Sequence, residues 1–118
     1  MSVVKLTAGS IHYDRSGPLE GRTAVFVHGY AMGRSLWRPL SERLAARGFD
    51  CVAPTWPLGE HTEAMNADDD LTMHGIAGMV AELLDALDLH DVVLVGNDTG
   101  GAIAQLVAVG TPERLGAL

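Results

Sequence analysis

The sequence has a single cysteine, no long apolar run and few cations. Because only Cys51 carries a thiol among the 118 residues, an intramolecular disulfide is excluded, and with it a disulfide-stabilised secreted mini-protein. No stretch approaches the ~18 consecutive apolar residues that span a bilayer. The N-terminus also lacks the basic and apolar regions of a signal peptide. We therefore expect a cytoplasmic protein without a membrane partner.

Positive charge is scarce and unevenly placed. Eight Lys and Arg against fifteen Asp and Glu give a formal net charge of −7, and no Lys or Arg lies between Arg47 and Arg114. That balance argues against a nucleic-acid partner.

The acidic run 68–70 lacks the alternating ligands and closing Glu of a calcium loop, and no glycine pattern typical of nucleotide binding is present. The sequence therefore predicts neither a metal nor an organic cofactor.

Short apolar strands alternate with helices along the chain. A hairpin of strands over 3–7 and 11–14 is followed by buried strands predicted over 23–27, 49–53 and 91–96. Between and after these strands, helical patterns follow residue 35, run through 76–87 and occupy 102–109. This alternation is typical of an α/β fold with right-handed crossovers in one domain.

The helix ends carry their own signals. Ser35 is a candidate N-cap with Pro39 in the first turn that follows, and Gly48 is placed to end that helix. Thr72 is the candidate N-cap of the second helix. The apolar stripe of that helix has helical spacing and comprises Ile76, Met79, Val80, Leu83, Leu84 and Leu87.

A glycine-rich turn joins the 91–96 strand to the third helix. It reads Gly96-Asn97-Asp98-Thr99-Gly100-Gly101. Glycine two positions before and two after Asp98 permits a turn in which the chain passes close to itself. The pattern G-x-D-x-G fits a nucleophile elbow, with Asp98 where serine is more common. The competing interpretation is that Asp98 only caps the helix.

A second loop follows the 23–27 strand and begins His28-Gly29-Tyr30. Because parallel strands end at the same edge of a sheet, both loops open there. The backbone N–H groups of Tyr30 and Thr99 then form a two-donor cradle for an oxyanion. The residues assigned to the geometry of this HG loop and of the elbow are His28, Gly29, Gly96, Gly100 and Gly101.

With these two motifs in this order, the chain resembles the α/β-hydrolase superfamily. The resemblance covers residues 1–118 as a partial core with entry hairpin, HG loop and elbow, and it implies a mostly parallel sheet with flanking helices and no cap domain. An elbow Asp is similar to that of haloalkane dehalogenases and epoxide hydrolases. By this resemblance, Asp98 attacks an electrophilic carbon of a small apolar substrate and forms an ester. Water activated by a histidine then hydrolyses the ester.

Three positions differ from those two branches. The dehalogenases typically have Asn after HG and Trp after the nucleophile, where this chain has Tyr30 and Thr99. The epoxide hydrolases typically have Pro two residues after HG, where this chain has Ala31. The substrate class therefore stays open between an epoxide and an alkyl halide.

The catalytic set implied by the resemblance is incomplete. No histidine follows Asp98, and Glu113 is the only acid after it. Because the resemblance places the base and the third acid there, we expect an N-terminal fragment of a larger enzyme that is inactive alone. His61 and His74 border the irregular segment before the second helix and are the histidines expected near the catalytic edge.

Residues 112–118 resemble the run into a next strand beside 91–96. If that strand is missing, the edge of 91–96 is unpaired and favours self-association. Two other functions stay open. One is a non-catalytic hydrolase-like module that binds a ligand or partner, and the other is an esterase-type hydrolase in which Asp98 is not the attacking group.

Overall fold

A computed structural model describes residues 2–118 as a six-stranded mixed sheet covered by helices on both faces. The spatial order of the strands is β1-β2-β4-β3-β5-β6; β1 and β2 pair antiparallel to their neighbours, and the remaining pairs are parallel. The strands are β1 (Ser2–Lys5), β2 (Ser10–Ser16), β3 (Thr23–Val27), β4 (Asp50–Pro54), β5 (Val92–Gly96) and β6 (Leu115–Ala117). The helices are α1 (Arg38–Ala46), α2 (Met73–Ala86) and α3 (Thr99–Gly110), with 3-10 turns at Arg34–Trp37 and Pro112–Arg114.

The core lies on both faces of β3 and β4, whose residues are all buried. On one face, α2 and α3 bury their apolar stripes, and each fully buried Leu or Ile of α2 contributes ~1.5–3 kcal/mol. On the other face, Trp37 stacks on Phe26 with ring centroids 4.9 Å apart. This double burial explains why β3 has a nearly continuous apolar sequence rather than an alternating one.

Several sequence predictions are confirmed. Strand β3 has the predicted bounds, and β4 is displaced from its prediction by one residue. The Thr72 hydroxyl accepts the Gly75 N–H, as expected of an N-cap. Gly48 follows α1 with φ +93°, a conformation that glycine adopts without strain.

Two predicted helix starts are wrong. Ser35 lies inside the 3-10 turn, and α1 begins after Trp37, which makes no side-chain capping bond. Helix α3 begins at Thr99 and not at residue 102. The glycines at 100 and 101 suggest a later start because glycine has low helix propensity, but tertiary packing overrides that propensity.

The expectation of a wholly unpaired β5 edge is also wrong. Strand β6 pairs in parallel with β5, joining Leu115 to Val92 and Ala117 to Val93. Beyond Val93, no residue of the described range 2–118 continues this ladder, and a groove of about 440 Å³ runs there between β5, α3 and Leu118. Self-association along this shorter edge stays a prediction.

Within residues 2–118, no helix combines the length and apolar character needed to cross a bilayer.

Candidate active site

The predicted site residues gather at one edge of the sheet. Strands β3, β4 and β5 are parallel, so the loops that follow them open on the same side. These loops contain His28-Gly29-Tyr30, the segment 55–61 and Asn97-Asp98. An ideal Cβ built on Gly29 would lie 3.1 Å from the Asp98 Cβ and 3.3 Å from its Oδ2, so the two predicted motifs touch.

Asp98 occupies a backbone conformation that is unusual for a residue with a side chain. Its φ of 58° and ψ of −124° lie in a region that glycine favours, at a cost of ~1–3 kcal/mol for other residues. Although Asp98 is the N-cap of α3, its carboxylate makes no capping bond. The side-chain capping interpretation is therefore wrong. The carboxylate is exposed and, among residues 2–118, accepts no hydrogen bond.

Steric constraints act on two of the three predicted elbow glycines. A Cβ on Gly100 would overlap the Val27 carbonyl oxygen and lie 2.6 Å from that of His28. A Cβ on Gly96 would lie 2.5 Å from the Gly100 carbonyl oxygen. At Gly101, by contrast, nothing lies within 4 Å of that position. Packing therefore requires glycine at positions 96 and 100 but not at 101.

Two backbone donors remain free beside the carboxylate. The N–H groups of Tyr30 and Thr99 have no hydrogen-bond acceptor within the described part of the chain. Their neighbours are bonded, since the Ala31 N–H donates to the Leu58 carbonyl at 2.7 Å and the Gly100 N–H to that of Asn97 at 2.9 Å. The Tyr30 side chain is 71% exposed and does not pack on the core. This edge therefore combines an exposed carboxylate with two free N–H groups.

His28 is a buried, neutral side chain that joins two loops. Its Nε2 accepts the Trp56 backbone N–H at 2.8 Å, so the ring proton is on Nδ1, which donates to the Gly29 carbonyl at 2.9 Å. Burial lowers the pKa of His28, although the Gly29 hydrogen bond and the nearby Glu60 carboxylate act in the opposite direction. His28 therefore holds the loop after β3 against the loop after β4.

We predict that the free energy of unfolding falls as the pH drops below about 6.5, the ordinary pKa of histidine. The unfolded chain takes up a proton there while folded His28 stays neutral, so stability is lost by at most ~1.4 kcal/mol per pH unit until the lowered folded-state pKa is reached. Urea unfolding of the protein at several pH values between 5 and 7.5 measures this slope. His28→Asn should flatten it, and equal slopes in both proteins would contradict the assignment.

No other histidine reaches Asp98 through a described contact. His74 lies on α2 beside Leu106 and Val109, at the far end of α3, which is ~18 Å long. The expectation that His74 lies near the catalytic edge is therefore wrong. His61 follows Glu60, which packs over the HG loop at Gly33, and the His61 Nδ1 is buried with no partner in residues 2–118.

Sequence reasoning favours a loop-anchoring role for Trp56 over contact with substrate, and the structure confirms it, but the contribution of Leu58 was missed. Trp56 is fully buried, and its indole Nε1 donates to the Phe26 carbonyl at 3.1 Å, which anchors the loop after β4 under β3. The Leu58 carbonyl then accepts the Ala31 N–H, with Ala31 at φ 59°. Neither bond is visible in a sequence motif, because the acceptor of each is a backbone carbonyl. The flanking Pro54 and Pro57 were the available signal of a fixed loop.

Comparison with known proteins places the chain in a family. A family model described as the alpha/beta hydrolase fold matches residues 24–118. The chain is 31% identical to a 2-hydroxy-6-oxononadienedioate/2-hydroxy-6-oxononatrienedioate hydrolase of Paraburkholderia xenovorans, covering 92% of this chain and 38% of that protein. It is 32% identical to epoxide hydrolase 2 of Siraitia grosvenorii, covering 83% and 31%, and 30% identical to a haloalkane dehalogenase of Mesorhizobium japonicum, covering 97% and 36%.

A solved structure of an epoxide hydrolase has the same fold as this chain. The epoxide hydrolase VrEH1 of Vigna radiata superposes with a TM-score of 0.86 at 27% identity, covering 97% of this chain and 36% of that one. The chain thus spans only between 31% and 38% of the length of these three curated relatives, all of which are named as hydrolases or dehalogenases. On the match over residues 24–118, the chain belongs to the alpha/beta hydrolase fold family.

Proposed function

We propose that Asp98 is the covalent nucleophile of a hydrolase that acts on a small, largely apolar substrate with an electrophilic carbon, such as an epoxide or an alkyl halide. The observation that carries this proposal is the backbone strain at an exposed carboxylate with no hydrogen-bond partner in residues 2–118. A carboxylate needed only for capping would bond to the helix, and strain of this kind is concentrated at functional sites.

The reaction has two steps. In the first, an Asp98 carboxylate oxygen forms a bond to the substrate carbon, and the carbon–oxygen bond of an epoxide or the carbon–halogen bond breaks, so the leaving group takes the electron pair. In the second, water adds to the ester carbonyl carbon of Asp98 and gives its proton to a base. The ester C–O bond then breaks, and its electron pair passes to the leaving oxygen, which takes the second proton of the water, so that an alcohol is released and the Asp98 carboxylate is restored.

The free N–H groups of Tyr30 and Thr99 support the second step. When water adds to the ester, negative charge develops on the former carbonyl oxygen of Asp98. Two backbone donors beside that oxygen stabilise this charge without reorganisation, and one such donor is typically worth ~2.7–4 kcal/mol. The base and the third acid of this scheme would lie outside the chain, as the family resemblance implies.

The test is isotopic labelling of Asp98. The full-length protein is incubated in ¹⁸O-water with a panel of terminal epoxides and 1-haloalkanes, and the peptide that contains Asp98 is analysed by mass spectrometry. We expect label in Asp98 after turnover, an ester adduct after rapid quenching, and loss of both in Asp98→Asn. Turnover without label in Asp98 would refute the covalent role.

Residues 1–118 alone serve as a negative control in this assay. They provide no histidine after Asp98 and no other histidine that a described contact brings to it. Without a base, hydrolysis of the ester stalls. We therefore expect no sustained turnover from the 118-residue chain.

A second candidate function is hydrolysis in which Asp98 does not attack the substrate. It is favoured by the 31% identity to a protein that is named a hydrolase of an oxo-dienedioate. Retained hydrolysis of a simple ester by Asp98→Asn would support this candidate. Loss of all activity in that variant, with label in wild-type Asp98, would exclude it.

A further inference from the structure

The hydrogen bond from His28 Nδ1–H to the Gly29 carbonyl also fixes the direction of the Tyr30 N–H. The acceptor oxygen of Gly29 and the Tyr30 N–H belong to one peptide unit, and residues 2–118 contain no cis peptide bond. In a planar trans peptide, the C=O and N–H bonds point in opposite directions. Because the oxygen is held toward the imidazole, the Tyr30 N–H points away from it.

The imidazole can hold that oxygen only in one tautomer. The Trp56 N–H donates to His28 Nε2, so Nε2 carries no proton and Nδ1 is the donor. Trp56 is itself fixed, since it is fully buried and its indole is bonded to the Phe26 carbonyl. The following peptide is also held, by the bond from the Ala31 N–H to Leu58.

We propose that Trp56 and His28 act as positioning residues: the Trp56 N–H selects the His28 tautomer, and His28 thereby aims the Tyr30 N–H at the carbonyl oxygen of the Asp98 ester. This inference rests on the proposed function of Asp98. Neither positioning residue touches the substrate, so their effect falls on the hydrolysis of the ester. Formation of the ester depends on the carboxylate of Asp98 and is affected little.

Two substitutions each remove one of the two hydrogen bonds made by the His28 ring. The amide nitrogen of Asn corresponds in position to Nδ1, so His28→Asn keeps a donor for Gly29 and loses the acceptor for Trp56. The amide oxygen of Gln corresponds to Nε2, so His28→Gln keeps the acceptor and loses the donor. Each variant gives up one hydrogen bond, and a purely structural role predicts similar losses of stability and activity in both.

The experiment measures both half-reactions in the full-length protein with styrene oxide and 1-bromohexane as probes. Rapid quenching and intact mass give the rates of ester formation and hydrolysis, and urea unfolding gives stability. We expect His28→Gln to slow ester hydrolysis by ~10²–10³-fold, so that the ester accumulates. His28→Asn should slow it by less than tenfold. Equal slowing in the two variants at equal stability would overturn the proposal.

The His28 tautomer provides a readout that does not depend on catalysis. Long-range ¹H–¹⁵N spectra of histidine-labelled protein should show a protonated Nδ1 and an unprotonated Nε2 in His28 at pH 7.5. The opposite tautomer would overturn the positioning role whatever the activity. If the tautomer is as expected but wild-type protein never forms an ester with a substrate that it turns over, the proposed role of Asp98 fails, and with it the action of Tyr30 on that ester.

Discussion

Replacing Gly100 with alanine is expected to lower the free energy of unfolding by about 3 kcal/mol or more, at the upper end of the range for overpacking. The added Cβ would overlap the Val27 carbonyl oxygen and crowd that of His28. Both obstacles are backbone atoms of the strand end and loop that hold the site, so they cannot rotate away as a side chain would. Helix α3 would have to move from β3, and Asp98 at its N-terminus would move with it.

Gly101→Ala is the matched control for this prediction. It makes the same chemical change at the next residue of the same helix, where a Cβ meets no atom within 4 Å. Because alanine has the higher helix propensity, we expect Gly101→Ala to stabilise the protein by ~0.5–1 kcal/mol. Urea unfolding of both variants measures the contrast. Similar changes in the two would show that the close approach of Gly100 to β3 does not govern this turn.

Replacing Arg15 with methionine is expected to cost about 3 kcal/mol of stability. Asp50 is 1% exposed at the start of β4, and Arg15 binds both its carboxylate oxygens, with Nε–Oδ1 at 3.0 Å and Nη2–Oδ2 at 2.7 Å. Methionine retains much of the aliphatic packing but leaves the buried carboxylate, among residues 2–118, with only the Thr23 hydroxyl, at 3.2 Å. We take the lower end of the range for a broken buried pair because the Arg15 side chain is 27% exposed.

Arg22→Met is the control for the Arg15 substitution. Arg22 contacts Asp91 at 3.5 Å, but the two side chains are 45% and 72% exposed. An exposed pair of this kind contributes little, so we expect a change within ~0.5 kcal/mol. Urea unfolding midpoints compare the two variants. Equal effects would show that burial of Asp50 does not determine the strength of its pair with Arg15.

Much of the sheet was predictable because local sequence reports burial. Strand β3 has a nearly continuous apolar sequence because both of its faces are covered, and its predicted bounds agree with the structure. The start of α3 was not predictable in this way. Gly100 is a poor helix former, but it is the residue that fits against β3, and this fit depends on a strand more than seventy residues earlier in the chain.

The sequence alone determined that Asp98 would occupy a tight turn and that it would lie close to the HG loop. Flanking glycines and strand–helix alternation are local signals, and parallel strand ends must meet at one edge. Only the tertiary structure decided where each histidine lies: His74 lines a cavity with the C-terminal half of α3, whereas Asp98 lies at the N-terminus of that helix. It also decided the network of Trp56, His28 and Tyr30. Each bond joins a backbone group to the His28 ring, one of them across 28 residues of sequence, and no residue pattern specifies these partners.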